Sequence, residues 1–114
     1  MKDLTPPPPL ACNMDALSPE QRRKHQEVST ELSRRAAAVH DLPTGLAWQF
    51  LNDRSTLSLI TDFIVDEELC CPFLNFDIHI KPQEAVLELS LTGPENTRDF
   101  LKAEFAEFVE SLTA

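Results

Sequence analysis

Two neighbouring runs in the second half of the chain alternate apolar and polar side chains, and they restrict the fold more than any other feature. Apolar residues stand at alternate positions from 74 to 80 and again from 87 to 91. Alternation with a period of two is typical of β-strands that bury one face and expose the other. Because only a short segment around Pro82-Gln83-Glu84 separates the runs, they predict a β-hairpin with one solvent-exposed face.

A second hairpin is predicted upstream, where residues 37–42 and 47–51 flank the segment Leu42-Pro43-Thr44-Gly45. Proline suits the second position of a turn, and glycine tolerates the exit from it. The alternative, in which the alanines at 36–38 prolong the preceding helix by a turn, stays open at this point.

Helical patterns precede, separate and follow the two hairpins. Ser18 and Gln21 form a capping box, and Pro19 suits the first helical position, so the first helix is predicted over residues 19–34. The apolar stripe of this helix includes His25, which therefore points inward or to the margin of the core.

The second helix is predicted to start after Asp53 or Ser55 and to stop at Pro72, which has no amide to continue it. The third is predicted from the start segment Thr92-Gly93-Pro94-Glu95. Its apolar stripe comprises Leu101, Phe105, Phe108 and Leu112. The order α-β-β-α-β-β-α with short links predicts an α+β fold, with a four-stranded antiparallel sheet and helices packed on one face.

Length and composition indicate one folded unit. The chain has 114 residues, of which 42% are hydrophobic and 25% charged, and this suits a single core. Four consecutive prolines at 6–9 favour an extended conformation. Residues 1–10 are therefore predicted to be a flexible proline-rich tail, and residues 11–114 a single α+β domain.

The net charge, the length of the apolar stretches and the cysteine count restrict the expected partners and the expected cellular location. A net charge of −9 would repel a phosphate backbone, so we expect no nucleic-acid partner. The apolar stretches fall far short of the ~20 residues that span a bilayer, and no secretory signal is visible. Three cysteines are too few for a disulfide framework, so we expect a reducing, cytoplasmic setting.

The segment Glu67-Glu68-Leu69-Cys70-Cys71-Pro72-Phe73 carries the most unusual chemistry. Glu67 lies three and four residues before the two thiols, so the three groups can share one helix face. The negative end of the helix dipole and the nearby acids disfavour a thiolate, which argues against a nucleophilic cysteine. A bound metal ion reverses this effect, because it deprotonates thiols and attracts carboxylates. The alternative, that the cysteines simply fill the core, stays open.

Two residues from the first part of the chain could complete a metal site. Cys12 precedes the first helix and could meet Cys70 and Cys71 if the chain folds back, which would give three sulfurs for a soft ion. His25 is the candidate fourth ligand, although a core histidine would show the same pattern. The remaining histidines, His40 and His79, are predicted to be surface residues on strands.

Several motifs together resemble a group of small uncharacterised bacterial proteins. The likeness covers residues 11–105, and its most specific element is Glu67-x-x-Cys70-Cys71-Pro72-Phe73. The other elements are Ala11-Cys12-Asn13-Met14-Asp15-Ala16-Leu17, Leu42-Pro43-Thr44-Gly45 and Leu91-Thr92-Gly93-Pro94. The resemblance implies a shared fold and a shared site at Cys12, His25, Glu67, Cys70 and Cys71.

These patterns favour a small cytoplasmic thiol protein that binds a metal ion, either zinc or a softer one, through Cys12, Cys70 and Cys71. His25 or Glu67 would assist. One alternative is a thiol redox enzyme, in which Cys70 or Cys71 is oxidised and Cys12 resolves it. The other is a structural or interaction domain, including a homodimer, in which the cysteines are merely packed.

Overall fold

Local hydrogen bonds fix the start of the first helix. The computed structural model describes residues 10–106 and residue 109. Helix α1 spans Pro19–Arg35. The Ser18 hydroxyl accepts a hydrogen bond from Gln21 N at 3.1 Å, and the Gln21 side chain accepts one from Ser18 N at 2.8 Å. These reciprocal bonds satisfy two amides at the helix start and confirm the capping box.

The second helix, α2, spans Arg54–Cys70 and is capped by Asp53, whose carboxylate accepts from Thr56 N at 2.7 Å. This backbone hydrogen bond from Thr56 lowers the pKa of the Asp53 carboxyl. Of the two caps that the sequence left open, Asp53 is therefore the one used. Cys71 takes the capping position at the other end, and Pro72 follows it.

The alanines after α1 belong to a strand and not to the helix. Strand β1 spans Ala36–Leu42 and pairs antiparallel with β2, which spans Gly45–Leu51. Ala36 is already extended, with φ −65° and ψ 132°. The predicted hairpin is confirmed, and its second strand starts earlier than the sequence pattern indicated.

The second hairpin joins β3 (Asn75–Lys81) to β4 (Val86–Thr92) through a 3₁₀ helix at Pro82–Glu84. The four strands form one sheet in the order β1-β2-β4-β3, and every neighbouring pair is antiparallel. Gly45 lies against the backbone of Leu91 in β4, where a Cβ would collide with the carbonyl group. This close approach explains why the early start of β2 requires glycine.

The third helix, α3, spans Thr97–Glu104 and begins later than predicted. Asn96 precedes it with φ 76°, so the chain still turns after Pro94. The Thr97 hydroxyl donates to the Pro94 carbonyl at 2.6 Å and holds this turn. Leu101 and Phe105 lie on the predicted apolar stripe, whereas Phe108 and Leu112 fall outside the described residues.

The helices cover one face of the sheet, as the alternation of side chains requires. Alternate residues of β2 and β4 are buried against them: Leu46, Trp48, Phe50, Leu87, Leu89 and Leu91. The opposite face is polar, and there Gln49 donates to Glu88 at 3.1 Å. The predicted α+β class, with a four-stranded antiparallel sheet, is therefore confirmed.

The far end of β3 departs from the expected burial. Ile78 and Ile80, which the alternation predicts on the covered face, are 39% and 44% exposed. β3 is an edge strand, and the fully buried apolar residues of the sheet lie on the central strands β2 and β4. A period of two identifies the face of each residue but does not tell how far the helices reach across that face.

Two expectations concern the ends of the chain and its relation to membranes. The predicted proline-rich tail at 1–10 lies outside the described residues except for Leu10. No helix within the described part of the chain is long and apolar enough to cross a membrane.

The packing of α3 generates a stability prediction. Leu101 is fully buried, so replacing it with alanine leaves a cavity and should lower the free energy of unfolding by about 2–5 kcal/mol. The matched control is Leu69→Ala on α2, where the side chain is 50% exposed and the change should stay within about 0.5 kcal/mol. Urea unfolding under identical redox conditions measures both. Equal effects of the two substitutions would contradict the packing of α3 on the core.

Candidate functional site

The segment before α1 folds back onto the end of α2 and carries Cys12 with it. Asn13 N donates to the Cys70 carbonyl at 2.7 Å, and a 3₁₀ helix at Met14–Ala16 then leads to the buried Leu17. Cys12 and Cys71 are joined by a disulfide, with 4.6 Å between their Cα atoms. The structure thus brings together two cysteines that are separated by 59 positions in the sequence.

The disulfide departs from the expectation of reduced thiols. That expectation rested on the number of cysteines, and a count cannot tell which of them the fold places within bonding distance. Cys70 keeps a free thiol and is buried, in agreement with an odd number of cysteines.

Glu67 and His25 form a buried pair between the two long helices. His25 Nε2 lies 2.6 Å from Glu67 Oε2, and the two side chains are only 7% and 4% exposed. The His25 ring also stacks on Phe63, with 5.2 Å between the ring centroids. A carboxylate is costly to bury without a partner, and here the imidazole supplies one.

The second oxygen of Glu67 faces the sulfur of Cys71. Glu67 Oε1 and Cys71 Sγ are 3.0 Å apart. In the disulfide, Cys71 has no proton to donate, whereas a reduced Cys71 thiol at this distance can donate to the carboxylate. Glu67 therefore connects the imidazole on α1 with the sulfur at the end of α2.

Cys70 adds a third sulfur to this site. Its Sγ lies 3.8 Å from Cys71 Sγ and 3.6 Å from the carbonyl oxygen of Glu67. Burial, and then the charge of Glu67, raise the pKa of the Cys70 thiol to about 11. The direction agrees with the sequence-based prediction that nearby acids disfavour a thiolate, although burial, which that argument did not use, is the larger cause of the raised pKa.

The donor atoms converge in two overlapping groups that could hold a metal ion. One group is Cys12, Glu67 and Cys71, and the other is His25, Glu67 and Cys70. Within each group the ligand atoms lie within 4.8 Å of one another. Ligands about 2.0–2.3 Å from a tetrahedral ion are separated by about 3.3–3.8 Å, so the first group would need reduction of the disulfide and separation of its two sulfurs before it could coordinate an ion.

All five residues singled out in the sequence therefore meet at one place. His40 and His79 are exposed on strands β1 and β3, as predicted, and belong to neither group. Sequence reasoning missed Phe63, which supports the ring of His25. Its position four residues before Glu67 places both on one face of α2, and this spacing could have identified it.

One buried atom of the site has no partner. Nδ1 of His25 makes no hydrogen bond within the described residues, although the atom is fully enclosed. Buried polar atoms are normally paired, so an unpaired one calls for an explanation, such as a chemical role, strain, or a bound water or ion.

Comparisons of the chain with protein-family models, with curated proteins and with solved structures found no significant match. The resemblance to a group of small bacterial proteins, like the homodimer, stays a prediction. The assignment of a function consequently depends on the geometry of the site.

The environment of Cys70 generates a prediction about its reactivity. With a pKa of about 11 instead of the ordinary 9.0, the thiol should be ionised about a hundredfold less at neutral pH than an unperturbed cysteine. Alkylation rates of the folded, oxidised protein measured against pH should therefore rise up to about pH 11. The urea-unfolded protein is the control and should titrate near 9; a folded-state midpoint at or below 9 would contradict the burial of this thiol.

Proposed function

We propose that the reduced protein binds a thiophilic metal ion through Cys12, Cys70 and Cys71, with Glu67 as an oxygen ligand. The observation that carries the proposal is that two donor groups share Glu67, namely Cys12, Glu67 and Cys71, and His25, Glu67 and Cys70, and that the ligand atoms within each group lie within 4.8 Å of one another. The sulfur of Cys70 also lies 3.8 Å from that of Cys71. Three sulfurs from two distant parts of the chain meet a buried carboxylate, which is more than the packing of small apolar side chains requires.

The chemistry of the donors favours a soft or borderline cation. Thiolates select ions such as Zn²⁺, Cd²⁺ or Cu⁺ over the hard ions that oxygen ligands prefer. A bound cation would deprotonate Cys70 despite its raised pKa, because the attraction between the cation and the thiolate would outweigh the effect of burial. The carboxylate of Glu67, which disfavours a thiolate without metal, then contributes to the binding of the ion.

His25 would act mainly through Glu67. Its Nε2 lies 2.6 Å from one carboxylate oxygen, so it orients the other oxygen toward the sulfur cluster. Hydrogen-bonding partners of metal ligands typically change metal affinity by about 10–100-fold. His25 can therefore matter for binding whether or not it contacts the ion.

The disulfide and the metal site exclude each other. Forming the bond between Cys12 and Cys71 removes two electrons and two protons and leaves neither sulfur as a thiolate. The disulfide form is then the oxidised, metal-free state of the same site. This relation favours the reducing cytoplasm as the place where the ion would be held.

Cadmium titration of the phosphine-reduced protein tests the proposal. We expect one ion per chain, together with ultraviolet absorption from thiolate-to-metal charge transfer. Substitution of serine for Cys12, Cys70 or Cys71 should each weaken binding and reduce the absorption, because each removes a sulfur ligand. A reduced wild-type protein that retains no cadmium, or an absorption that is unchanged without Cys70, would refute the three-sulfur site.

Matched control variants separate the site from general effects on the protein. Glu67→Gln should weaken binding, whereas Glu68→Gln, on the exposed side of α2, should not. His25→Gln should weaken it about 10–100-fold, and His79→Gln should leave it unchanged. Circular dichroism and urea unfolding identify any variant that fails to fold. Equal effects of the two substitutions in a pair would show that the buried residue of that pair has no specific role in metal binding.

A second candidate function, thiol redox chemistry, is favoured by the disulfide itself. Cys71 would be the oxidised thiol, since Glu67 Oε1 lies 3.0 Å from its sulfur and can accept the proton. A peroxide would oxidise the Cys71 thiol to a sulfenic acid and would itself be reduced to water or an alcohol, and attack by the Cys12 thiol would then form the disulfide and release water. Cys70 is unsuited to this role because its pKa is about 11.

Peroxide kinetics distinguish the two functions. In the redox case, Cys12→Ser should accumulate a sulfenic acid on Cys71, and Cys70→Ser should react at the wild-type rate. The sulfenic acid can be trapped with dimedone and located by mass spectrometry. A rate no faster than that of the urea-unfolded protein would remove the redox function and leave metal binding unaffected.

A further inference from the structure

A groove runs along α1 and reaches the candidate site. Its volume is about 690 Å³, and it lies between the exposed side of α1 and the last turn of α3. Cys12, His25 and Glu67 are among the residues that line it. Small-molecule sites usually have volumes of about 300–1,000 Å³, so this groove is large enough for a compact ligand.

Of the three cysteines in the cluster, Cys12 is the one that a ligand in this groove can reach. It is partly exposed and lines the groove, whereas Cys70 and Cys71 are 1% and 0% exposed and do not. Thiol–disulfide exchange requires an attacking sulfur to reach one of the two bonded sulfurs. An incoming molecule therefore meets the disulfide at Cys12 and not at Cys71.

The wall beside Cys12 is polar and carries one cation on α1. The side chains of Arg22, Gln26 and Thr30 lie along it at intervals of one helical turn. Arg22 contacts Asp15 at 3.3 Å, and the Asp15 side chain is 92% exposed. Such an exposed ion pair is weak and can be exchanged for another anion. Glu104 lines the groove from α3 and opposes this attraction, as does the buried Glu67.

We propose that this groove admits a small thiol carrying a carboxylate, which opens the disulfide by attacking Cys12. The inference deepens the proposed function, on which it rests, because it identifies the class of molecule that would convert the oxidised site into its metal-binding form. The carboxylate pairs with Arg22, and the thiolate reaches the partly exposed sulfur.

The exchange balances with two molecules of the small thiol. The thiolate of the first attacks Cys12 Sγ, the bond from Cys12 to Cys71 breaks, and the electron pair goes to Cys71 Sγ. Cys71 takes up the proton that the attacking thiol had released, next to the carboxylate of Glu67. A second thiolate then attacks the small-molecule sulfur, which frees Cys12 and releases the oxidised small thiol as its disulfide.

Quenched exchange with three thiols tests the inference on the oxidised full-length chain. The probes are 3-mercaptopropionate, neutral 2-mercaptoethanol and cationic cysteamine, compared at equal thiolate concentration. After acid quenching, peptide mapping by mass spectrometry should locate the mixed disulfide on Cys12. We expect the rate with 3-mercaptopropionate, relative to that with cysteamine, to fall about threefold in Arg22→Gln.

Variants of Arg23 on α1 and Glu104 on α3 provide the controls. Arg23→Gln removes the same charge from a residue that does not line the groove, so it should leave the ratio of rates unchanged. Glu104→Gln removes the opposing acid and should raise the rate with 3-mercaptopropionate. Moderate salt in every measurement screens the long-range repulsion between the anionic thiol and the net charge of −9.

The results of the thiol-exchange experiment test the inference independently of the proposed metal binding. A mixed disulfide on Cys71, or equal ratios of rates in wild type, Arg22→Gln and Arg23→Gln, would overturn the role of the groove. The cadmium titration uses phosphine-reduced protein, so its result does not depend on entry through this groove. Attack at Cys12 with the expected charge dependence would support the inference even if cadmium failed to bind.

Discussion

The buried carboxylate of Glu67 is the interaction on which the candidate site depends. The fold removes this group from water and gives it two neighbours, the imidazole of His25 at 2.6 Å and the sulfur of Cys71 at 3.0 Å. Neither neighbour is close in sequence to the other, so the pairing of α1 with α2 creates the arrangement. The imidazole on α1 offsets part of the cost of burying this acid, so the acid depends on the packing of the two helices.

The same carboxylate gives the sulfur cluster two opposite properties. Without an ion, its charge and the burial of the site keep the Cys70 thiol protonated. In the proposed metal-bound form, the negative charge would become part of the coordination sphere and would lower the cost of forming thiolates. Under the proposed function, the chemistry of this site would therefore depend on what occupies it; the structure shows the state with a disulfide between Cys12 and Cys71.

Local sequence patterns predicted the helices and strands. The features that they could not predict depend on contacts between residues that are far apart in the sequence. Ser18 and Gln21 identified the start of α1 because a capping box involves only neighbouring residues. The alternation in β3 and β4 identified a hairpin, but the exposure of Ile78 depends on how far helices elsewhere in the chain extend. Cys12 was a candidate by its chemistry, and its approach to Cys71 required the three-dimensional path of the chain.

The hydrogen bond from Asn13 N to the Cys70 carbonyl links the N-terminal segment to the last turn of α2. With the nearby burial of Leu17, it is the non-covalent part of an attachment whose covalent part is the sulfur bridge. Reduction of the bridge would leave Cys12 attached to α2 by the non-covalent part alone, while Glu67, Cys70 and Cys71 would stay on α2 and its end. In the proposed metal-bound form, an ion shared by Cys12 and Cys71 would restore a cross-link at the same place, so its presence would decide how firmly the segment before α1 is attached to α2.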